Sequence, residues 1–584
     1  MTKEKSFGPD IRKSYTYREL PIGATSIGIH NDVIKTGSWR VLRPLFKTKT
    51  APCNEACPAG VDIRGFVTLM KDGRFDQAQK LYLEENPFPG ICGRVCYHPC
   101  EEACNRKEFD QAVSINALER FIADSESRIQ MDFSMNGRRI AIVGSGPAGL
   151  SASYFLARLG YQVTVFEALK EVGGLIRSGI PNYRLPMKVV EKELERLSFW
   201  GVQFITDFRI HQQNWQTLQE FDAILLAFGA NKSLSLPFKY SGGCTLRILT
   251  GLQFLNDVKM GRKFSLGQKV AIVGGGNTAI DAARTVLRLG MSPTVIYRRS
   301  KAEMPAFHSE VEDAIEEGVQ ILYLTSPVGV DEQGPTLRIH CVRTRLGKTG
   351  KDKRPRPIPI EGSEFDIEAH AIISAVGETP DLSFVPKDID LVGQSVRVDE
   401  LGSTSRPGVF ACGDLVEQPR SVAHAIGSGK KAAVAIDGYC KGLPRENTLG
   451  NLRVGEKGNL SFRSYLGGKA VIDQHKVIHF EDLNPSYFQY RERTDKPKLP
   501  VHVRSGFEEV FGNLSEKQAL GEAHRCFSCG MCYHCDNCYL FCPDASVLKG
   551  DDETYNRVNY DYCKGCGICE NECPVGVIEM ETED

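Results

Sequence analysis

The sequence predicts a multidomain α/β chain, with a helical domain at its start and a small α+β domain at its end. Three observations predict it. Two segments within residues 139–440, RRIAIVGSGPAGLSASYFLARLGYQVTVFEA and QKVAIVGGGNTAIDAARTVLRLGMSPTVIYRR, each read strand, glycine-rich turn, helix, strand. Short apolar runs in that region alternate with amphipathic ones, which is the pattern of parallel sheets covered by helices. The cysteines gather at the two ends: of 20, six lie between Cys53 and Cys104 and ten between Cys526 and Cys573. The remaining four are Cys244, Cys341, Cys412 and Cys440.

A chain of 584 residues has room for about four domains. With 72 Lys+Arg against 73 Asp+Glu, a broad electrostatic nucleic-acid surface is not expected. The balance is uneven, since residues 526–584 carry 12 acids against 3 bases. There is no run of about 18 apolar residues, and the opening MTKEKSFGPDIRK has no apolar stretch. Neither membrane insertion nor secretion is therefore expected, and a cytoplasmic location is. In such a chain clustered cysteines point to metal rather than to disulfides.

Residues 1–134 read as helical around the first cysteine block, with helices over Val61–Asp72 and Phe75–Glu85 split by Asp72–Gly73. Then comes Gly144-Ser-Gly146-Pro-Ala148-Gly149 between a strand and a helix, with Glu167 closing the next strand. The first glycine permits the turn, the second admits a pyrophosphate, and the third lets helix and strand pack. Glu167 is placed to bind a ribose. The second turn, Gly274-Gly-Gly276-Asn277-Thr278-Ala279, has Arg298 and Arg299 where an acid would stand. Two guanidinium groups suit a 2′-phosphate, so NADPH is favoured over NADH. These are two Rossmann-like domains. Arg343–Arg356 reads as a basic hairpin tip in solvent, with docking of an acidic partner or of the chain's own tail as the alternative.

The last block contains Cys532-x2-Cys535-x2-Cys538-x3-Cys542-Pro and Cys563-x2-Cys566-x2-Cys569-x3-Cys573-Pro. This is the two-cluster ferredoxin run, in which the fourth cysteine of each motif serves the other cluster. One [4Fe–4S] cluster is therefore assigned Cys532, Cys535, Cys538 and Cys573, and the other Cys563, Cys566, Cys569 and Cys542. Cys526 and Cys529 precede the run in the same x2 rhythm and are read as spare thiols, with a metal role as the alternative. In the first block, Cys53-x3-Cys57-Pro is followed by Cys92, Cys96, Cys100 and Cys104 at spacings of four. If that segment is helical, Cys96, Cys100 and Cys104 share one side.

Further motifs carry a resemblance: ACPAGVDI, ICGRVC, VGGLIRSGIPNYRLP with Gly174, YRRSKAEMP, and FACGD with Gly413 and Asp414. Over about residues 40–440 the chain resembles the small subunit of bacterial glutamate synthase and the N-terminal half of dihydropyrimidine dehydrogenase. The resemblance implies FAD in the first site, contacted by Glu167, Leu175, Arg184 and Asp414, and an NAD(P) domain inserted into the FAD domain. The disulfide reductases of this fold carry a cysteine pair in the first FAD helix. None stands between Ser151 and Gly160 here, so the electrons must leave by another route. The resemblance also implies an N-terminal cluster at Cys57, Cys96 and Cys100, with Glu119, Cys53 or Cys104 as fourth ligand. The relatives' second N-terminal cluster is read as lost, because the extra cysteine pair that opens their first group is missing. The added ferredoxin resembles longer relatives such as DsrL, the iron–sulfur flavoprotein partner of dissimilatory sulfite reductase.

The expected architecture is a helical N-terminal iron–sulfur domain (1–134), an FAD domain in two parts (135–264 and 379–440), an NAD(P) domain (265–378), a linker (441–515) and a two-[4Fe–4S] ferredoxin domain (516–584). Three [4Fe–4S] clusters, FAD and NADPH or NADH are the expected cofactors. A reductase such as dissimilatory sulfite reductase, or a ferredoxin, is the expected partner, and a homodimer is implied by analogy with dihydropyrimidine dehydrogenase. The expected activity is NAD(P)H:acceptor oxidoreduction, with the glutamate synthase small subunit as alternative. Hydride transfer to a flavin needs no protein acid or base, so no catalytic side chain is assigned.

Overall fold

The computed structural model describes residues 35–124, 134–236, 238, 240, 247–350, 354–416, 419–443, 452–467, 473–550 and 556–583. The opening segment and Cys244 lie outside the described residues.

Two five-stranded parallel sheets organise the middle of the chain, as the repeated segments require. The first has the order Val409–Ala411, Ala223–Leu226, Arg139–Val143, Gln162–Phe166, Gln203–Ile205. The second runs Gln320–Leu322, Ser292–Ile296, Lys269–Val273, Ala371–Ser374, Ile248–Thr250. The central strands are apolar at consecutive positions because both faces are covered: Ile140, Ala141 and Ile142 are all buried, as are Val270, Ala271 and Ile272. Each is followed by a glycine turn and a helix, Pro147–Arg158 in one and Asn277–Arg288 in the other.

The chain leaves the first sheet after Leu226 and returns at Val409. The crossing is a two-stranded ribbon, with Lys232–Ser233 antiparallel to Glu378–Thr379. The second sheet already holds Ile248–Thr250, ahead of the expected boundary at residue 265, because that strand pairs with Ala371–Ser374. An antiparallel sheet of Thr325–Gln333, Thr336–Thr349 and Pro355–Ala369 leans on it and holds Arg343, Arg345, Lys348 and Arg356 of the basic segment in its strands.

In the N-terminal body the helices run Ile63–Lys71, Phe75–Leu83, Pro89–Val95 and Ile115–Asp124. Asp62 caps the first by accepting from the Gly65 N–H at 3.0 Å, and Gly73 turns the chain at φ +69°. The cysteine segment 92–104 is not one helix. His98 takes a left-handed conformation (φ 57°), and Pro99 opens a separate short turn, Pro99–Glu102. A proline has no N–H to continue the preceding helix, so Cys104 leaves the side shared by Cys96 and Cys100.

Residues 473–515, within the expected linker, are strapped across the body. Arg493 pairs with Glu101 at 2.7 Å, Lys496 donates to Asn116 Oδ1 at 2.6 Å, and Lys498 reaches Asp313 at 2.5 Å. The chain ends meet: Leu42–Phe46 pairs antiparallel with Ile578–Thr582. Helix Glu516–Ala523, expected within the ferredoxin domain, packs on Ile63–Lys71 instead.

Candidate functional site

A cleft of about 350 Å³ opens at the C-terminal ends of the first sheet's strands, where open α/β sheets bind their ligands. Gly144 turns the chain at φ +104°, and a Cβ there would lie 2.7 Å from the Ala227 carbonyl oxygen. A Cβ on Gly149 would meet Gly144 O at 2.1 Å, so helix and turn are in contact. At Gly146 a Cβ would meet nothing within 4 Å, because that side faces the cleft. A pyrophosphate fits this opening, at the N-terminus of helix Pro147–Arg158 beside Ala148. Gly174 packs on Gly146, and Leu175 lines the cleft next to it.

Glu167 is fixed at the wall. Its Oε2 accepts from the Ser145 N–H at 3.0 Å and from Ser145 Oγ at 2.5 Å, and its Oε1 accepts from the Leu169 N–H at 2.8 Å. Gly413 donates its N–H to Ser428 Oγ at 2.9 Å, which sets Asp414 into the cleft. Burial raises the Asp414 carboxyl above its usual range, and Arg420 opposes this. Arg184 also lines the cleft, but its guanidinium is engaged: Nη1 donates to both oxygens of Asp281 at 2.9 and 2.7 Å, and Nε lies 2.9 Å from Glu310. It ties the two nucleotide bodies together as well as facing the flavin space.

The second turn opens on the same cleft through Asn277 and Thr278. Gly274 has φ +147°, with a Cβ only 2.2 Å from Ala375 O, and Gly276 has open space. Asn277 Oδ1 accepts from the Phe307 N–H at 3.0 Å. The two arginines divide: Arg298 is exposed at the strand end, whereas Arg299 is buried and donates from Nε to Pro355 O at 2.7 Å.

Cysteines ring four cavities. Cys532, Cys535, Cys538 and Cys573 surround one, beside Phe46 and Val577. Cys542, Cys563, Cys566 and Cys569 surround the next. These are the two quartets assigned from the spacing. Burial and neighbouring thiols push Cys538 up to about 11 and Cys569 up to about 12, so metal binding there must displace protons. A third cavity holds Cys57, Cys92, Cys96, Cys100 and Glu119. Tyr82 donates its hydroxyl to Glu119, whose carboxyl burial pushes up to about 8. Of the candidate fourth ligands only Glu119 is here, and Cys92 is an additional thiol.

Cys53 and Cys104 are elsewhere, around a fourth cavity with Cys526 and Cys529. Cys526 and Cys529 thus stand with Cys53 and Cys104 rather than with the ferredoxin quartets. Spacing alone could not find this grouping, because it joins segments from opposite ends of the chain. The available signal was the Cys-x2-Cys rhythm of Cys526 and Cys529 in a chain lacking such a pair at its start.

The nucleotide cleft and the third cavity share a wall. Val95 lines the cleft, and the next residue, Cys96, lines the cavity. Helix Val422–Lys441 likewise presents Val422 to the cleft and Ala423 to the cavity. The Tyr97 ring stacks between Phe307 of the cleft, at 5.7 Å, and His424, at 5.9 Å.

Residues 138–429 match the pyridine nucleotide-disulphide oxidoreductase family. Residues 41–131 match the 4Fe–4S domain II of dihydropyrimidine dehydrogenase, and residues 557–579 match a 4Fe–4S binding domain. The chain is 35% identical to the NADP(+)-dependent formate dehydrogenase subunit beta of Moorella thermoacetica, over 82% of this chain and 70% of that one. It is 35% identical to the NADPH-Fe(3+) oxidoreductase subunit beta of Geobacter sulfurreducens (82% and 75%). It is 31% identical to the glutamate synthase [NADPH] small chain of Azospirillum brasilense (67% and 86%). No helix among the described residues is long and apolar enough to cross a membrane. The chain belongs to the pyridine nucleotide-disulphide oxidoreductase family, as an NAD(P)H-dependent iron–sulfur flavoprotein oxidoreductase.

Proposed function

We propose that the protein carries electrons between NAD(P)H and a separate redox protein, with FAD in the first glycine-turn site and [4Fe–4S] clusters in the cysteine cavities. A flavin bound there exchanges a hydride with nicotinamide and single electrons with clusters. The chain's own part is to position. Gly146 and Gly276 leave room for the two pyrophosphates, Glu167 and Asp414 face the flavin space, and Asn277 and Thr278 bring the nicotinamide nucleotide to the same cleft. Arg298 favours the 2′-phosphate of NADPH. The observation that carries the reading is the shared wall at Val95–Cys96 and Val422–Ala423, which sets a cysteine cavity directly behind the cleft.

The partner is proposed to meet the ferredoxin end, where Cys566 is exposed. The beta subunits and small chain among the relatives support a partner-dependent role. Dissimilatory sulfite reductase as that partner rests on the DsrL resemblance. The added ferredoxin end weighs against the glutamate synthase reading, which would need a large partner subunit. Cys96→Ser tests the proposal. It should slow electron exchange between NADP(H) and a tail-reduced dye, in either direction, by at least roughly tenfold (about 1.4 kcal/mol of barrier), with flavin content and NADPH binding retained. Unchanged exchange would refute the path.

A further inference from the structure

We propose that Cys53, Cys104, Cys526 and Cys529 hold a further [4Fe–4S] cluster, its four thiolates drawn from opposite ends of the chain. The site stands independently of the electron path proposed above.

The cavity is built for a charged, sulfur-ligated group. Its walls are apolar, with Ile63, Val113, Ile115 and Phe527 among them. A thiolate-ligated iron cluster carries net negative charge, and two buried or half-buried cations stand by. Arg64 lines the cavity at 2% exposure, donating from Nη1 to Cys529 O and to Lys49 O, both at 2.8 Å. Its Nε has no hydrogen-bond partner among the described residues. Lys71 donates to Cys526 O at 2.7 Å and to Ser528 Oγ at 2.8 Å.

The backbone of the tail pair is shaped like that of the ferredoxin loops. In Cys532-Tyr-His-Cys535, His534 has φ 57° and its N–H donates to Cys532 Sγ at 3.4 Å. In Cys526-Phe-Ser-Cys529, Ser528 has φ 59° and its N–H donates to Cys526 Sγ at 3.4 Å. The same device recurs at His98, φ 57°, with its N–H 3.5 Å from Cys96 Sγ. Left-handed residues are uncommon outside glycine. The same bend in three cysteine loops therefore serves one purpose, which is to aim an N–H at a ligand sulfur. Asn105 Nδ2 adds a donor 3.6 Å from Cys529 Sγ.

The position supports the assignment. Ile63 and Ile115 line both this cavity and the one with Cys57, so the two share a wall. On the other side, Cys529-Gly-Met-Cys532 leads straight into the first ferredoxin cavity. Gly530 fixes that passage, donating to Val575 O at 2.8 Å and accepting from the Lys49 N–H at 2.9 Å. The site fills the gap between the N-terminal body and the ferredoxin end. A zinc ion is the competing occupant, but tetrahedral zinc at about 2.3 Å from each sulfur needs four sulfurs meeting at one point. No three His, Cys, Asp or Glu side chains among the described residues converge that tightly, here or in the ferredoxin cavities.

The test is the metal and sulfide content of the full-length protein purified without oxygen, set against the double variant Cys526→Ser, Cys529→Ser. Four clusters give about sixteen irons and as many sulfides per chain. The double variant should lose about four of each and one low-temperature EPR component, with FAD content unchanged. About one zinc per chain, or a double variant that retains FAD with unchanged iron and sulfide, would overturn the assignment. Should the double variant not fold, the single variants Cys526→Ser and Cys529→Ser decide in the same way: either one retaining FAD with unchanged iron, sulfide and EPR signals overturns it.

Discussion

The two cavities of the ferredoxin end and the two of the N-terminal body hold the same kind of side chain by different means. The thiols of the outer pair all come from short loops of one stretch, residues 532–573, and one of them, Cys566, is exposed. The inner pair is assembled from separate helix ends, within residues 57–119 for one cavity and from both cysteine blocks for the other, and a strap crosses this body. Arg525 is the clasp. It is 1% exposed and donates to Glu522 at 2.7 Å, Asp110 at 2.9 Å, Gln111 O at 2.6 Å and Arg491 O at 3.0 Å, beside Cys526. A group that trades electrons with a partner must lie near the surface. A group that serves the flavin must be shielded and held at fixed spacing. The outer cavities therefore depend on local sequence, and the inner ones on tertiary docking.

The largest effect that can break this comparison is loss of the clasp. Arg525→Ala takes the cation from the buried Glu522 and one of two from Asp110, which keeps Arg106, and should cost about 3–5 kcal/mol. Thermal unfolding should shift down, and iron should be lost from the inner sites while the outer EPR signals stay. Equal loss from both pairs would show that the outer cavities also depend on docking. Next in size, Gly146→Val should empty the flavin site without disturbing any cysteine cavity, because the added side chain meets only cleft space; FAD absorbance after purification checks this. A smaller effect is expected at the nicotinamide end. Arg298→Ala should raise the KM for NADPH about tenfold, or about 1.4 kcal/mol, and leave that for NADH unchanged. The smallest belongs to the outer surface. Lys35 and Asp561 pair at 2.7 Å while both remain more than half exposed, so Lys35→Ala should leave the melting temperature unchanged within error. This sets the exposed pair against the buried clasp.

Ionic strength separates the two regions further. Part of the tail's acid is taken up internally, since Glu579 pairs with Lys49 at 2.8 Å and Arg40 and Lys47 pair with Glu583 and Glu581. Among the described acids of the tail, Asp561 and Glu570 are exposed. Transfer to a basic partner should slow as salt rises from low to physiological levels, while flavin reduction by NADPH should not.

Legibility in the sequence followed locality. The α/β class and the two glycine turns could be read because strand, turn, helix and acid lie within about 30 residues. The ferredoxin quartets could be grouped because their spacing encodes the crossover of the fourth cysteine. The inner cavities could not be sorted, since His98 and Pro99 interrupt the segment and send Cys104 to a different cavity from Cys96 and Cys100. Nothing local tied Cys53 to Cys526. The engagement of Arg184 with Asp281, and of Arg299 with Pro355, were likewise tertiary facts invisible to motif spacing.

The proposed electron path joins nicotinamide to the ferredoxin end. Its most direct test is an anaerobic titration of the full-length protein with NADPH and then NADH, followed by flavin absorbance and cluster EPR, and repeated in reverse with a reduced viologen and NADP⁺. One path requires connected behaviour in at least one direction: cluster signals that grow as NADPH is added, or NADPH formed at the expense of the viologen. Flavin that bleaches while every cluster stays silent, with no NADPH formed in reverse, would contradict it.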